Sequence, residues 1–182
     1  RLFDHDYIIL GNDGNVIKFL DSSLDEICVT KTVAMPTSVA VVNGLVTVGE
    51  GSQIALYNPQ QLQGRIELER ICLTQVHVLI SSLTSTNDIL IAADALRSIQ
   101  TYRVIPEGIE EIQVDTFAKQ IRNMCIFNQI IFAGTYNSSL YSFLLNEDGS
   151  FDEIGSMKTD SNITSFTCDE SALYYATECG GV

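Results

Sequence analysis

The 182-residue sequence has no tryptophan, only two histidines, and ten lysines and arginines against 23 aspartates and glutamates. Each shortage excludes something. With no Trp there is no Trp-Asp dipeptide, and no Gly-His pair occurs either, which counts against an ordinary WD repeat. Ten scattered cations in a chain of net charge −13 form no basic run, so the sequence lacks the footprint of a nucleic-acid grip. No apolar run approaches the ~18 residues of a transmembrane helix, and no membrane partner is expected. The opening Arg-Leu-Phe-Asp-His-Asp lacks the positive and apolar regions of a signal peptide. It also lacks a starting Met, so the chain reads as a piece of something longer.

Chemistry is scarce as well. The cysteines, Cys28, Cys72, Cys125, Cys168 and Cys179, include no CxxC pair, so no zinc site is expected. Four of them lie in apolar strand-like contexts and read as buried free thiols of a reducing compartment. Cys179, beside Gly180, reads as the exposed one. His77 falls in an apolar context and reads as a core or channel-lining residue, and no HxH, HExxH or GxSxG motif occurs. The acidic pairs (Asp25/Glu26, Glu110/Glu111, Glu147/Asp148 and Asp152/Glu153 among them) sit at turns and strand ends, where solvated charge is the ordinary state. Asn12-Asp13-Gly14-Asn15 opens like a calcium loop but lacks the later ligands, and a hairpin turn explains it better. No cofactor, metal or catalytic residue is expected.

What is present is β periodicity. Short runs rich in Val, Ile, Leu, Thr, Tyr and Phe alternate with Gly, Asn, Asp and Ser clusters, and no helical stripe appears. One pattern recurs: an apolar run, a small residue, a polar turn, then a second apolar run. The small residues are Gly11, Gly49, Ala93, Gly134 and Ala176, at intervals of 38, 44, 41 and 42 by subtraction of their numbers. That is the period of a four-stranded propeller blade, about 40–45 residues. A β-sandwich would not keep one interval and one internal pattern. Blades converge on an axis and pack face to face, which explains small side chains at the anchors.

The expected fold is therefore all-β: a β-propeller of four-stranded antiparallel blades, about four of them present, hence partial. The expected organisation is one propeller region over 1–182. It comprises a half blade at 1–31, blades at about 37–73, 77–117 and 121–158, and a half blade at 162–182. Inner strands are placed at 37–42, 77–83, 121–127 and 162–168. Outer strands are placed at 65–73, 109–117 and 150–158.

The segment Asn87-Asp88-Ile89-Leu90-Ile91-Ala92-Ala93-Asp94-Ala95-Leu96-Arg97-Ser98-Ile99 carries a resemblance. So do Val41-Val42-Asn43-Gly44-Leu45-Val46 with Gln53–Tyr57, and Leu173–Thr177 with Gly180-Gly181-Val182. Taken in chain order they resemble the last propeller of a family of large subunits. That family contains the large subunit of the damage-specific DNA-binding protein, the largest subunit of cleavage and polyadenylation specificity factor, and the large propeller subunit of splicing factor SF3b. The resemblance implies a non-enzymatic scaffold in a nuclear multi-subunit complex, either a cullin-type ubiquitin ligase adaptor in DNA repair or a pre-mRNA splicing or 3′-end processing assembly. Its partners would be other protein subunits, with no direct nucleic-acid contact. The alternatives are a generic WD-repeat-like binding module and a propeller enzyme with an axial acid cluster.

Asp94, Arg97 and Ser98 stand out as candidate partner-binding residues. They occupy the turn between a second and a third strand, on a propeller face that meets partners. The competing reading is a local Asp–Arg contact that pins the turn.

Overall fold

The computed structural model describes residues 7–62, 65–76, 78–96, 98–116, 119–168 and 171–180. They form seventeen strands in five antiparallel sheets, with no helix among the described residues. The first sheet holds β1 (Ile8–Asn12), β2 (Val16–Leu20) and β3 (Glu26–Lys31). The second holds β4 (Pro36–Val42), β5 (Leu45–Glu50), β6 (Gln53–Leu62) and β7 (Arg65–Gln75). The third holds β8 (Ile80–Thr86), β9 (Ile89–Asp94), β10 (Ser98–Ile105) and β11 (Gly108–Thr116). The fourth holds β12 (Ile121–Phe127), β13 (Ile130–Thr135), β14 (Ser139–Leu145) and β15 (Phe151–Lys158). The fifth holds β16 (Ile163–Cys168) and β17 (Leu173–Thr177).

In the three four-stranded sheets, strands pair in chain order and β4, β8 and β12 lie at one edge. Those edge strands neighbour one another from sheet to sheet, and β12 neighbours β16. Sheets that meet edge strand to edge strand in sequence are propeller blades, with β4, β8, β12 and β16 innermost. The first sheet has three strands, with β1 beside β4. No described strand of the fifth sheet pairs with the first.

The core lies between blades rather than within one. One apolar cluster joins the first and second sheets (Ile17, Phe19, Val46, Tyr57). Another joins the second and third (Val42, Ile54, Leu56, Ile80, Leu90). A third joins the third and fourth (Ile91, Ile99, Ile121, Ile131, Phe143). A central strand buried on both faces reads as a continuous apolar run, as the Ile89–Ala93 part of β9 does.

The small anchors have a direct cause. A Cβ on Gly49 would stand 2.8 Å from Ile80 Cγ2, and one on Gly134 would stand 2.9 Å from Ile163 Cβ. One on Gly11 would stand 2.9 Å from Pro36 Cγ. Pro36, Ile80 and Ile163 are the first residues of inner strands. At these three places the strand carrying the small residue receives the start of the next blade's inner strand on it. Each inner strand also opens with a bulge, at Pro36/Ser38, Ile80/Ser82, Ile121/Asn123 and Ile163/Ser165. The bulged hydroxyl returns to its own blade's anchor carbonyl: Thr37 to Gly49 (3.1 Å), Ser81 to Ala93 (3.1 Å) and Thr164 to Ala176 (3.2 Å). The next residue accepts from the following blade: Ser38 Oγ from Leu83 N (2.8 Å) and Ser82 Oγ from Met124 N (3.0 Å).

Two placements differ from expectation. The inner strand expected over 77–83 runs over Ile80–Thr86. Val76 precedes the strand in the crossing between blades, and the Val76 and Ile80 N–H groups donate to the Ser52 and Gly51 carbonyls at 2.9 Å each; His77, the first residue of the expected strand, lies outside the described residues. Cys168, expected buried, is exposed like Cys179, because β16 presents that position outward; Cys28 is buried and Cys72 and Cys125 are half-buried.

Candidate partner-binding face

The turns joining second and third strands share one face with the crossings between blades, and hydrogen bonds tie the two sets together. Ala95 N donates to Leu79 O (2.8 Å), Tyr136 N to Gln120 O (3.2 Å) and Glu178 N to Asn162 O (3.0 Å). Because turn and crossing are bound to each other, this face is rigid although it is built of loops.

Asp94 ends β9 and is only 4% exposed. Its Oδ1 accepts from the N–H groups of Leu96 (2.8 Å) and Ser98 (3.0 Å), closing the turn. Its Oδ2 accepts from the Ser98 hydroxyl in a short bond and from Gln100 Nε2 at 3.3 Å. Gln100 Nε2 also donates to Ser98 Oγ (2.8 Å), and Gln100 Oε1 accepts from the Tyr102 hydroxyl. Asp94, Ser98, Gln100 and Tyr102 thus form a hydrogen-bonded ladder running from the turn into the core. A short acidic side chain does this work because one carboxylate accepts several N–H and O–H groups at once.

The second sheet carries a simpler version. Glu50, fully buried at the end of β5, accepts from the Tyr57 hydroxyl (2.5 Å) and from Val33 N (2.7 Å) in the preceding crossing. In the fourth sheet a hydroxyl takes the place: Thr135 Oγ1 donates to Ser139 O (3.0 Å). Burial, with the Asp94 and Glu111 carboxylates behind it, pushes the Tyr102 phenol up to about 12. Burial and the Glu50 carboxylate push Tyr57 up also.

Of the three candidate residues, Asp94 and Ser98 are therefore brought together inside the turn, and the Asp94 carboxylate offers almost no surface to a partner. Arg97 lies outside the described residues, as does His77. Among polar residues such as Gln120, Asn137 and Asp160, the face displays large apolar side chains: Leu96 at the tip of the same turn is 70% exposed, and Val33, Met35, Leu79 and Tyr136 are each exposed on its crossings or turns. Charge is the easier signal in a sequence. The apolar tips are legible only once the turns are known to share a face.

Arg122 occupies the bulge position that Thr37, Ser81 and Thr164 hold elsewhere. It ion-pairs with Glu178 and lies over the Tyr136 ring, 5.4 Å from its centroid. Asn162 Nδ2 also donates to Glu178 (3.0 Å), so these side chains lash the fourth sheet to the fifth.

The four inner strands carry no aspartate or glutamate. The carboxylates are on turns, second-strand ends and outer strands. Among the described residues no three His, Cys, Asp or Glu side chains gather as metal ligands, and no helix is long and apolar enough to cross a membrane.

A family model described as the CPSF A subunit region matches residues 9–176. No curated protein matches the chain.

Proposed function

The chain belongs to the CPSF A subunit region family, and from that premise we propose that it is a non-enzymatic scaffold that holds partner proteins on the face of its second-to-third-strand turns. Propellers of this family act as scaffolds in multi-subunit nuclear complexes. The observation that carries the reading is the exposed set Val33, Met35, Leu79, Leu96 and Tyr136 on a face whose backbone is pinned by buried Glu50 and Asp94. Apolar side chains on a rigid face are what a protein interface needs, since little ordering entropy is lost on docking. The absence of carboxylates from the inner strands supports this over an axial acid cluster.

In this reading the chain is part of the last propeller of a multi-propeller nuclear subunit. The Ala92-Ala93-Asp94 segment favours the pre-mRNA-processing branch, and the cullin-type DNA-repair adaptor is the other. Asp94 and Ser98 contribute as the framework of one partner-facing turn, and Arg97 remains a candidate partner contact from the sequence. The net charge of −13 leaves nucleic acid to other subunits.

The test is affinity purification of the chain at physiological salt, with quantitative mass spectrometry, beside Leu96→Asp and Tyr136→Asp. Recovery of processing-factor or ligase subunits by the parent, reduced by either variant, supports the scaffold and names the branch. Recovery unchanged by both variants refutes this face.

A further inference from the structure

Between the outer halves of the third and fourth blades lies a cavity of about 130 Å³, lined by Ile99, Asp115, Thr116, Phe143, Phe151 and Glu153. Its construction follows from strand pairing. On β10 and β11, Ile99 lies opposite Asp115. On β14 and β15, Phe143 lies opposite Glu153. Each blade therefore contributes a buried apolar residue from its third strand and an exposed carboxylate from its outer strand. Blades splay as they leave the axis, so side chains that touch at the inner strands part at the outer ones.

One end of the opening is closed by a polar clamp. Gln113 Nε2 donates to Phe151 O (3.1 Å), and Phe151 N donates to Gln113 Oε1 (2.9 Å). The same amide donates to Asp115 Oδ2 (2.7 Å), which holds that carboxylate beside the opening. The floor is Ile99, Phe143 and Phe151, all under 5% exposed, with the two rings edge to face at 5.7 Å. Among the described residues no cation pairs with Asp115 or Glu153. The comparable cavity lined by Asp88 and Glu147 differs, since Arg103 Nε already stands 3.3 Å from Asp88 Oδ2.

We propose that the cleft between β11 and β15 receives the long cationic side chain, arginine or lysine, of a basic segment in a partner protein. The methylene stem would lie on Ile99, Phe143 and Phe151, and the charged head would sit between Asp115 and Glu153. Lys and Arg are built for such a site, apolar along the stem and charged at the tip. A guanidinium or ammonium offers several donors to two acceptor-only groups. It also relieves the repulsion of two carboxylates on one cavity, in a chain whose overall charge favours approach of a basic partner. This deepens the scaffold reading by giving the partner's chemistry, and rests on it.

The test is an NMR titration of the ¹⁵N-labelled full chain with Nα-acetyl-arginine amide, and with Nα-acetyl-citrulline amide as the neutral isostere. The expected result is saturable shifts at the amides of Ile99, Asp115, Thr116, Phe143 and Glu153 with arginine and none with citrulline. The double variant D115N/E153Q is expected to lose about tenfold or more in affinity. The variant E110Q/E111Q, altered on the same strand outside the cleft, is expected to bind as the parent does. Equal response to citrulline, unsaturating shifts spread over Glu67, Glu69, Glu110 and Glu111, or an unaffected D115N/E153Q would each overturn the site. A flat arginine titration with partner recovery intact removes the cleft and leaves the scaffold. Saturable binding at the cleft with no partner recovered keeps the cleft and removes the scaffold.

Discussion

Replacing Asp94 by Ala separates the two roles of its turn. The carboxylate accepts four hydrogen bonds, two from turn N–H groups and two from side chains of the ladder. A hydrogen bond to a charged group contributes roughly 1.5–3 kcal/mol, and a buried donor left unpaired costs about 1–3 kcal/mol. The losses do not add in full. The turn N–H groups can reach water, Gln100 keeps its bond to Ser98 Oγ, and the variant no longer desolvates a carboxylate. The expected net loss is about 3 kcal/mol, which in a chain of this size lowers Tm by roughly 6–12 °C. Asp94→Asn keeps the Oδ1 acceptor for the Leu96 and Ser98 N–H groups but turns a donor toward the Ser98 hydroxyl and the Gln100 amide, which both lose an acceptor, so its expected loss, about 2 kcal/mol, lies between the parent and Asp94→Ala. Urea unfolding followed by circular dichroism measures both. If Asp94→Ala lies within about 0.5 kcal/mol of the parent, the range of an ordinary surface substitution, the ladder does not stabilise the blade and the argument from its geometry fails. Leu96→Asp, two residues on, is expected to leave stability nearly unchanged and to reduce partner recovery.

Other expectations follow from single positions. Gly134→Ala places a Cβ 2.9 Å from both Asn123 Oδ1 and Ile163 Cβ, and an overpacking loss of about 1–3 kcal/mol is expected in thermal melts. Gln129 sits at φ 63° in the β12–β13 turn beside Asn128 at φ 50°, so Gln129→Gly should raise stability by about 0.5–1 kcal/mol; a lowered Tm would show that the side chain is needed there. Raised folded-state phenol values stabilise the fold below the ordinary tyrosine range near pH 10, and this is lost as pH rises through the folded value. Tyr102, at about 12, should therefore ionise only as the chain unfolds, read by ultraviolet difference absorbance between pH 10 and 12. In native buffer a thiol reagent should label Cys168 and Cys179. Cys125, pushed up to about 12 by burial, and buried Cys28 should react only after denaturation; prompt labelling of Cys28 would contradict its burial.

The blade period was legible in the sequence because the physics that sets it is local to each repeat. Gly11, Gly49 and Gly134 are small since the next blade's first residue lies on them, and that demand recurs from blade to blade. A second signal of the same kind repeats with the blades. Asn43, Asn87 and Asn128 each stand six residues before an anchor and each adopts a positive φ at the inner hairpin, where Asn is tolerated better than most residues. The start of the third blade's inner strand was less legible, because Val76, buried in the crossing before it, has the apolar character of a strand residue while the strand begins at Ile80.

By itself the sequence determined the all-β class, the blade repeat and the acidic surface, because alternation, turn residues and charge are properties of neighbours along the chain. Only the tertiary structure decided what Asp94 does. A carboxylate beside a turn reads alike whether it faces solvent or a ladder, and Asp94, 4% exposed, is enclosed by the turn N–H groups and by Ser98 and Gln100 on the neighbouring strand. The shared face of Leu96 and Tyr136, and the one cavity lined by both Asp115 and Glu153, are likewise facts of blade stacking. Residues some 40 apart become neighbours only when sheets are set around an axis, and no pattern along the chain records which of their side chains point the same way.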